Sequence, residues 1–382
     1  MGTAQLSTMP ESIPLFEIPW EAQDIQNVVE SIGRGGWWAN GPFIDEFEEM
    51  VASFLDVEHA IAVNSGTSAI MAALVGADIG EGDQVIVPSF TQQATVNSVK
   101  MVGAEPVFAD IDRETYGLDP ADVEDKITPD TAAILPVHVY GSVCQIETIC
   151  EIADDHGIAV IEDAAEAQGA ERDGVMAGTV GDAGALSFCQ NKIVPTGEGG
   201  MVVTDDDDIA RSVSLYRSHG RATEDYFESS GSGRHVTVGG NFRMPDMVAA
   251  LGCSQMERID SLIAGRREAA LTMNEAFEAT EGVSPHTMDD GRHVYQFYAV
   301  TFDRYIDRDA VINHLSERDI SSKVYWNPPV HQSEYYRGGD WDLPVTEDVS
   351  QRVLSLPMHP ELSPGEVERI VDSIQSACER LR

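Results

Sequence analysis

The stretch Ile158-Ala159-Val160-Ile161-Glu162-Asp163 joins a short apolar run to two carboxylates. The apolar part is far below the roughly 20 residues of a membrane span. Its length and its branched side chains are typical of a buried strand. Asp163 therefore stands where a strand ends, and parallel sheets bind their ligands near the carboxyl ends of their strands.

Further β-rich runs of similar length recur on both sides of this stretch, and segments of helical length separate them. The runs cover residues 60–63, 84–87, 106–109, 133–136, 184–187 and 200–203, and the helical segments include 68–75, 93–102 and 146–156. Strands that alternate with helices predict an α/β fold with a mostly parallel sheet and helices on both faces.

The second half of the chain predicts a smaller unit. Residues 222–240 are rich in Gly, Ser and charge and are typical of a long loop, and a helical stretch from about Pro245 to residue 280 follows. Two β-rich runs at 295–302 and 322–325, a helix near 308–318 and a final helix from Pro364 indicate a small α/β domain. We expect an N-terminal arm and a large domain in residues 1–250, and a bridging helix and a small C-terminal domain in 251–382.

The composition is strongly acidic, with 65 acidic and 24 basic residues and a formal net charge of −41. Such a surface excludes nucleic acid as a partner, because phosphate binding needs basic residues. The acidic residues are spread along the chain, and 42% of the residues are hydrophobic, which argues against disorder. We interpret the charge as adaptation to very high salt, where cations screen the self-repulsion.

The five cysteines form no CxxC pair, so we expect no metal centre. The N-terminus lacks a basic start followed by an apolar stretch, and no run is long enough to span a membrane. The sequence therefore predicts a cytoplasmic protein without a membrane partner.

The segment Ser187-Phe188-Cys189-Gln190-Asn191-Lys192 precedes Gly197-Glu198-Gly199-Gly200, so a lysine lies between a strand and a glycine-rich turn. A lysine held there could attack a carbonyl and form a Schiff base. The alternative is an ordinary surface lysine, but the chain has only four lysines.

Two other motifs suggest a ligand that combines a heterocycle with a phosphate. Asp163 could pair with a protonated ring nitrogen, or it could simply cap the following helix. Asn64-Ser65-Gly66-Thr67-Ser68-Ala69 opens a helix after a strand, where backbone amides can hold a phosphate. No Walker lysine and no GxGxxG motif accompany it, which argues against nucleoside triphosphates and dinucleotides.

These motifs resemble the DegT/DnrJ/EryC1/StrS family of sugar aminotransferases, which have the aspartate-aminotransferase fold (fold type I of pyridoxal-phosphate enzymes). The resemblance extends over nearly the whole chain. The segments that carry it are 36–42, 64–69, 88–91, 137–141, 162–170, 187–200, 240–244, 325–331 and 356–360.

The resemblance implies that pyridoxal 5'-phosphate is the cofactor and assigns roles around it. Lys192 would carry the cofactor as a Schiff base and move the proton, and Asp163 would pair with the ring nitrogen. Gln168 would approach the ring hydroxyl or the adjacent edge. Gln92 stands where the family usually has an aromatic residue that stacks on the ring, so the chain departs from the family there.

The resemblance also implies a phosphate site that two subunits share. Gly66, Thr67 and Ser187 would hold the phosphate, and Asn241 would reach the phosphate of the neighbouring subunit. The implied assembly is a homodimer with shared active sites. Arg243 lies in the same motif as Asn241 without an assigned contact.

The expected activity is transfer of an amino group from an amino acid, with glutamate as the expected donor, to a nucleotide-linked keto sugar. His331 and Tyr325 are candidates for the sugar-side wall of the site, although both could be structural. One alternative is another reaction of the same cofactor, such as sugar dehydration or cyclitol amination. Dehydratases of this kind carry histidine where this chain has Lys192. The other alternative is a non-catalytic binding or regulatory protein.

Overall fold

The structure is a computed structural model that describes residues 12–222, 230–231, 233–288 and 290–382. Most of the predicted N-terminal arm, residues 1–11, lies outside the described residues. So do residues 223–229 and 232 of the predicted long loop.

The helices of the described chain alternate with its strands. The helices are α1 (Ala22–Gly33), α2 (Pro42–Leu55), α3 (Gly66–Gly76), α4 (Gln93–Met101), α5 (Pro120–Lys126), α6 (Ile146–His156), α7 (Asp207–Tyr216), α8 (Asp246–Met256), α9 (Ile259–Glu278), α10 (Arg308–Ser316), α11 (Pro344–Arg352) and α12 (Pro364–Leu381). The strands are β1 (His59–Val63), β2 (Gln84–Pro88), β3 (Glu105–Ala109), β4 (Thr131–Ile134), β5 (Ala159–Asp163), β6 (Glu171–Arg172), β7 (Val175–Met176), β8 (Ala183–Ser187), β9 (Gly200–Thr204), β10 (Val283–Pro285), β11 (Tyr298–Phe302) and β12 (Val353–Leu356).

Local sequence signals set several helix ends. At the start of α12, Ser363 and Glu366 cap each other's backbone amides, and Pro364 occupies the first turn, where its missing N–H costs nothing. Helix α6 stops at Gly157, whose φ of 67° lies in the left-handed region that glycine adopts without strain.

The main sheet has seven strands in the order β1-β9-β8-β5-β4-β2-β3. Strands β8, β5, β4, β2 and β3 pair in parallel. Strand β9 is antiparallel to both β1 and β8, so β1 points in the same direction as the parallel strands. The predicted mostly parallel α/β sheet is confirmed, with β9 as the one reversed strand of this sheet.

Helices cover both faces of the main sheet. On β2, Val85 and Val87 enter one hydrophobic core and Ile86 enters the other, as the period of two along a strand requires. Helices α3, α4 and α7 contribute to the core that holds Val85, and α2, α5, α6 and α8 contribute to the core that holds Ile86. Both faces of the sheet are therefore buried away from solvent, which explains why the strands are apolar throughout.

A second, antiparallel sheet in the order β10-β11-β12 forms its own core with α9, α10 and α12. Helix α9 links the two units, because Leu262 and Ile263 pack in the large core whereas Met273 and Phe277 pack in the small one. Ile13 also packs in the small core. These contacts support the expected bridging helix and small domain, and the boundary between residues 250 and 251 stays a prediction.

Two expected elements differ in detail. The long helix from Pro245 to about residue 280 is two helices, because Arg258 leaves the helical conformation and binds Asp24 on α1 through its guanidinium group. The β-rich run 322–325 makes only an isolated bridge, between Lys323 and Ser355. Within the described residues, none of the helices combines the length and the apolar character needed to cross a membrane.

Candidate active site

The residues singled out in the sequence meet at one edge of the main sheet. Strand β5 ends at Asp163, β8 ends at Ser187, and β1 ends at Val63, directly before the turn that begins α3. Because these three strands point in the same direction, their carboxyl ends lie at the same edge. This edge is where α/β sheets bind ligands.

Lys192 lies in the connection from β8 to β9, and its side chain is only 11% exposed. Its Nζ atom is 3.5 Å from Oε1 of Glu166 and 5.7 Å from the centre of the Phe297 ring. The connection is held by amide hydrogen bonds from Gln190 to the carbonyl of Gly197 and from Lys192 to that of Cys189. The lysine is thus held inward by backbone contacts and by a buried carboxylate.

Asp163 is 4% exposed, and both of its carboxylate oxygens accept hydrogen bonds. Thr95 Oγ1 donates to Oδ2 at 2.7 Å, and the amide of Ala165 donates to Oδ1 at 3.1 Å. Burial raises the pKa of Asp163, and the hydrogen bonds and the nearby charge of Lys192 oppose that shift only in part. A cation facing this carboxylate would therefore keep it ionised.

The turn before α3 forms a cradle next to the end of β8. The Ser65 side chain accepts a hydrogen bond from the Ser68 amide at 3.1 Å, while the amides of Gly66 and Thr67 lie in the first turn, where a helix offers no internal acceptor. A Cβ atom on Gly66 would come within 2.8 Å of Ser187 Cβ, so only glycine allows this close approach. First-turn amides of this kind favour a phosphate.

Gln168 connects the end of β8 to the lysine segment. Its Nε2 donates to the carbonyl of Ser187 at 2.9 Å, and its Oε1 accepts from the amide of Val194 at 2.9 Å. The side chain is 4% exposed. Its expected approach to the cofactor ring stays a prediction, and the described contacts give it a structural task as well.

The other expected cofactor residues lie at the surface of the single chain. Gln92 is exposed and directly precedes α4. Asn241 is exposed, and its backbone pairs with Ser218. The segment of Asn241 runs beside the end of β1, because Arg243 bridges Val63 and the amide of Asn64 donates to the carbonyl of Phe242 at 2.8 Å.

The two candidates for the sugar-side wall have different surroundings. Tyr325 stacks on Phe297 with ring centres 4.5 Å apart, and Phe297 in turn faces Lys192. His331 is 6% exposed and is held by Ser89 at 2.7 Å. Tyr325 therefore lies closer to the lysine environment, whereas His331 links the end of β2 to the segment 329–332.

Three residues without a role assigned from the sequence belong to the same site. Glu166 faces Lys192 and also accepts the amide of Tyr140 at 3.1 Å, and burial raises its pKa. Thr95 holds Asp163, and Phe297 lies against the lysine. Glu166 could have been found from its position three residues after Asp163, but nothing local marks Thr95 or Phe297.

These groups fit pyridoxal phosphate. The ring nitrogen of the cofactor pairs with a buried carboxylate, its aldehyde reacts with an amine, and its phosphate binds free backbone amides. At the edge of the sheet these groups are Asp163, Lys192 and the turn at Gly66. The sequence model of the DegT/DnrJ/EryC1/StrS aminotransferase family matches residues 19–375. The chain belongs to this family.

Individual members of the family support the assignment. GDP-perosamine synthase of Caulobacter vibrioides is 40% identical over 339 residues, which cover 87% of this chain and 90% of that protein. The spore coat polysaccharide biosynthesis protein SpsC of Bacillus subtilis is 36% identical over 380 residues, with 96% of each chain covered. The crystal structure of S. venezuelae DesV in complex with a ketimine intermediate has a TM-score of 0.90 at 32% identity and covers 97% of this chain and 99% of that one.

Membership settles three expectations from the sequence. The fold is that of the pyridoxal-phosphate enzymes of fold type I, the cofactor is pyridoxal phosphate, and the enzyme is an aminotransferase.

Proposed function

We propose that this aminotransferase takes its amino group from glutamate and delivers it to a keto sugar linked to a nucleoside diphosphate, in the synthesis of a polysaccharide. The observation that carries the proposal is the convergence of Lys192, Asp163 and the Gly66 turn at one edge of the sheet. The names of the relatives, a GDP-perosamine synthase and a coat polysaccharide protein, support the acceptor class.

Each residue has a definite task in this proposal. Pyridoxal phosphate, when bound, supplies an electron sink for the negative charge that forms when a substrate carbon loses its proton. Lys192 Nζ would hold the cofactor, and once the amino group of the substrate has taken its place, the freed amine would accept that proton and pass it on to another carbon. Asp163, held by Thr95, keeps the ring nitrogen protonated, and the Gly66 and Thr67 amides with the Ser187 hydroxyl hold the phosphate.

Glu166 places a second buried carboxylate beside the lysine that transfers the proton. It is buried, faces Lys192 and has the Tyr140 amide as a further donor. A carboxylate in this position holds the ammonium group of Lys192 in place between its two tasks. We assign Glu166 as a positioning residue for Lys192 and not as the proton acceptor.

The proposal is tested by separating the two halves of the reaction. The purified enzyme, given glutamate alone, should release one equivalent of 2-oxoglutarate per active site. A panel of keto-sugar nucleotides should then accept the amine. Lys192→Ala should do neither, whereas Lys126→Ala, a control on the far end of α5, should do both. A protein that leaves glutamate unchanged and binds only the nucleotide would favour the non-catalytic alternative.

We further propose a homodimer in which Asn241 of one subunit completes the phosphate site of the other. The exposure of Asn241 next to the end of β1 supports this arrangement. Mixing the inactive variants Lys192→Ala and Asn241→Asp should restore activity, because one site of the mixed dimer then has both intact residues. If Asn241 served its own subunit, the mixture would be no more active than Asn241→Asp alone. The cytoplasm is the location that we expect for such a biosynthetic enzyme.

A further inference from the structure

The peptide bond between Asn191 and Lys192 is held at both of its polar atoms. The amide of Lys192 donates to the carbonyl of Cys189 at 2.9 Å. The carbonyl of Asn191 accepts a hydrogen bond from Nε2 of Gln296 at 2.6 Å. Because a peptide group is planar, these two bonds fix its orientation and restrict the directions in which the lysine side chain can leave the backbone.

Gln296 comes from the segment that leads into β11 of the small sheet, 105 positions away from the carbonyl that it binds. The residue is only 2% exposed. The carbonyls of Tyr295 and Gln296 accept hydrogen bonds from the buried guanidinium group of Arg266 on α9, at 3.3 and 3.5 Å. The next residue, Phe297, donates its amide to the carbonyl of Tyr140 at 3.3 Å. The donor that reaches the lysine segment is therefore itself held in place.

The segment of Gln296 also touches the backbone that supports Glu166. Tyr140 donates its amide to Glu166, whose other carboxylate oxygen lies 3.5 Å from Lys192 Nζ. Gly141 is so close to the Gln296 segment that a Cβ atom there would come within 2.8 Å of the Gln296 amide nitrogen. Glu166 thus acts at the tip of the lysine side chain and Gln296 acts at its base.

We infer that Gln296 is a positioning residue for Lys192, whose backbone it holds so that the freed amine stays within reach of the substrate carbon. The inference rests on the proposed function, in which Lys192 carries the cofactor and moves the proton. The lysine side chain is a flexible alkyl stem, so a fixed base limits the positions that its amine can take. Proton transfer requires a separation of about 2.6–3.2 Å between the heavy atoms, and a small displacement of the amine slows it.

A purely structural role is the alternative, because a buried carbonyl needs a donor wherever it lies. Gln255 provides a matched control for that role. It is 1% exposed, and its Nε2 donates to the carbonyl of Pro19 and to Asp24, both at 3.1 Å, so it links α8 to the start of α1. Loss of either donor should lower Tm of the cofactor-free enzyme, whereas only loss of the Gln296 donor should affect Lys192.

The test compares Gln296→Met with Gln255→Met, since methionine keeps the length of glutamine and removes its donor. Removal of the α-proton of glutamate is followed in a single turnover at saturating glutamate, with protiated and with 2-deuterated donor. Gln296→Met should slow this step about tenfold or more, with an isotope effect at least as large as that of the parent enzyme. The apparent Kd for glutamate should change far less. Gln255→Met should match the parent in rate and isotope effect.

A second readout needs no substrate. Added pyridoxal phosphate forms an absorbance band when it joins its lysine in the cofactor-free enzyme. Gln296→Met should form this band more slowly than the parent, and Gln255→Met should form it at the parent rate.

Gln296→Glu tests the hydrogen-bond donor itself. A carboxylic acid can donate to the Asn191 carbonyl only while it is protonated, and burial raises its pKa. The rate of proton removal in Gln296→Glu, divided by the rate in Gln296→Met, should therefore rise as the pH is lowered from 8 to 6. A constant ratio would contradict the donor role. The parent enzyme replaces Gln296→Met as the reference if that variant does not fold.

These experiments separate the inference from the function on which it rests. A Lys192→Ala variant that still removes the α-proton at the parent rate would refute the proposed function. If Lys192 proves essential while Gln296→Met keeps the rate and isotope effect of the parent, the role of Gln296 alone is overturned. Equal slowing in Gln296→Met and Gln255→Met would also overturn it, because both would then reflect a general loss of rigidity.

Discussion

The ammonium nitrogen of Lys192 lies 3.5 Å from a carboxylate oxygen of Glu166, and the two side chains are only 11% and 9% exposed. Asp163 is buried beside them, so two carboxylates share this dry region with the charge of one lysine. The site therefore contains more negative charge than Lys192 balances. This excess favours binding of the positively charged cofactor ring, and it lowers the stability of the folded enzyme when the cofactor is absent.

Replacing Glu166 by an uncharged residue should raise the stability of the cofactor-free enzyme, and the size of the gain should depend on pH. Burial raises the pKa of Glu166 in the folded state, so ionisation of this side chain opposes folding. The fold is therefore most stable below the ordinary pKa of 4.5 and becomes less stable as the pH rises through the raised pKa. Glu166→Gln should raise Tm of the cofactor-free enzyme by a few degrees at pH 8, with a smaller gain near pH 4.5, and should slow turnover. The exposed Glu368→Gln serves as the control in thermal melts. An equal gain at both pH values would contradict the electrostatic explanation.

Enlarging Gly66 should damage cofactor binding. A Cβ atom there would come within 2.8 Å of Ser187 Cβ and 3.0 Å of its hydroxyl, whereas one on Gly365 in α12 would meet nothing within 4 Å. Gly66→Ala should therefore lower the affinity for pyridoxal phosphate at least about tenfold, a loss of roughly 1.4 kcal/mol. Gly365→Ala should bind it normally. Spectroscopic titration of the cofactor measures both, and equal affinities would show that the turn is not the phosphate cradle.

The buried pair of His138 and Glu162 should be worth more than a surface pair of the same type. His138 Nε2 lies 2.7 Å from Glu162, with both side chains fully buried, and Glu162 also accepts three backbone amides. His138→Leu would leave a buried carboxylate without its cation and should lower the free energy of unfolding by about 3–5 kcal/mol. His59→Leu removes an exposed partner of Asp207 and should cost less than about 1 kcal/mol.

The same pair gives a pH signature. Burial alone would lower the pKa of His138, but Cys144 and Glu162 raise it to about 10. Its contribution to stability is therefore complete below pH 6.5 and is lost as pH rises toward 10. Unfolding by urea should show this decline in the parent enzyme and not in His138→Leu. Parallel curves for the two proteins would show that the histidine is not charged in the fold.

Salt should stabilise the enzyme. With a net charge of −41, the folded chain suffers self-repulsion that dissolved cations screen. We expect Tm to rise by several degrees or more between 0.1 M and 3 M KCl. Identical Tm values in both solutions would contradict the proposed adaptation to high salt.

The part of the fold that depends on local pattern could be predicted from the sequence. The apolar runs that became β1, β2, β3, β5 and β8 were visible because strands buried on both faces need apolar residues at every position. The reversal of β9 was missed, although only twelve residues, without a helix, separate Ser187 from Gly200. Parallel strands need a crossover of a dozen or more residues that usually contains a helix, and this connection is at the lower limit of length and rich in glycine, so the signal was present.

The site could be predicted only where chemistry coincides with a strand end. Asp163 ends a strand and Lys192 follows one, and both are unusual for their surroundings, so the sequence marks them. Thr95 contacts Asp163 across 68 positions, and its neighbours give no hint of that contact.

The bond between Lys192 and the cofactor is the central claim, and reduction followed by mass spectrometry tests it most directly. The chain has only four lysines, at positions 100, 126, 192 and 323, so the assignment of a modified peptide is unambiguous. Borohydride treatment of the holoenzyme should attach the reduced cofactor to Lys192 and leave the other three lysines unmodified. An adduct on another lysine, or none at all in a protein that contains the cofactor, would contradict the account.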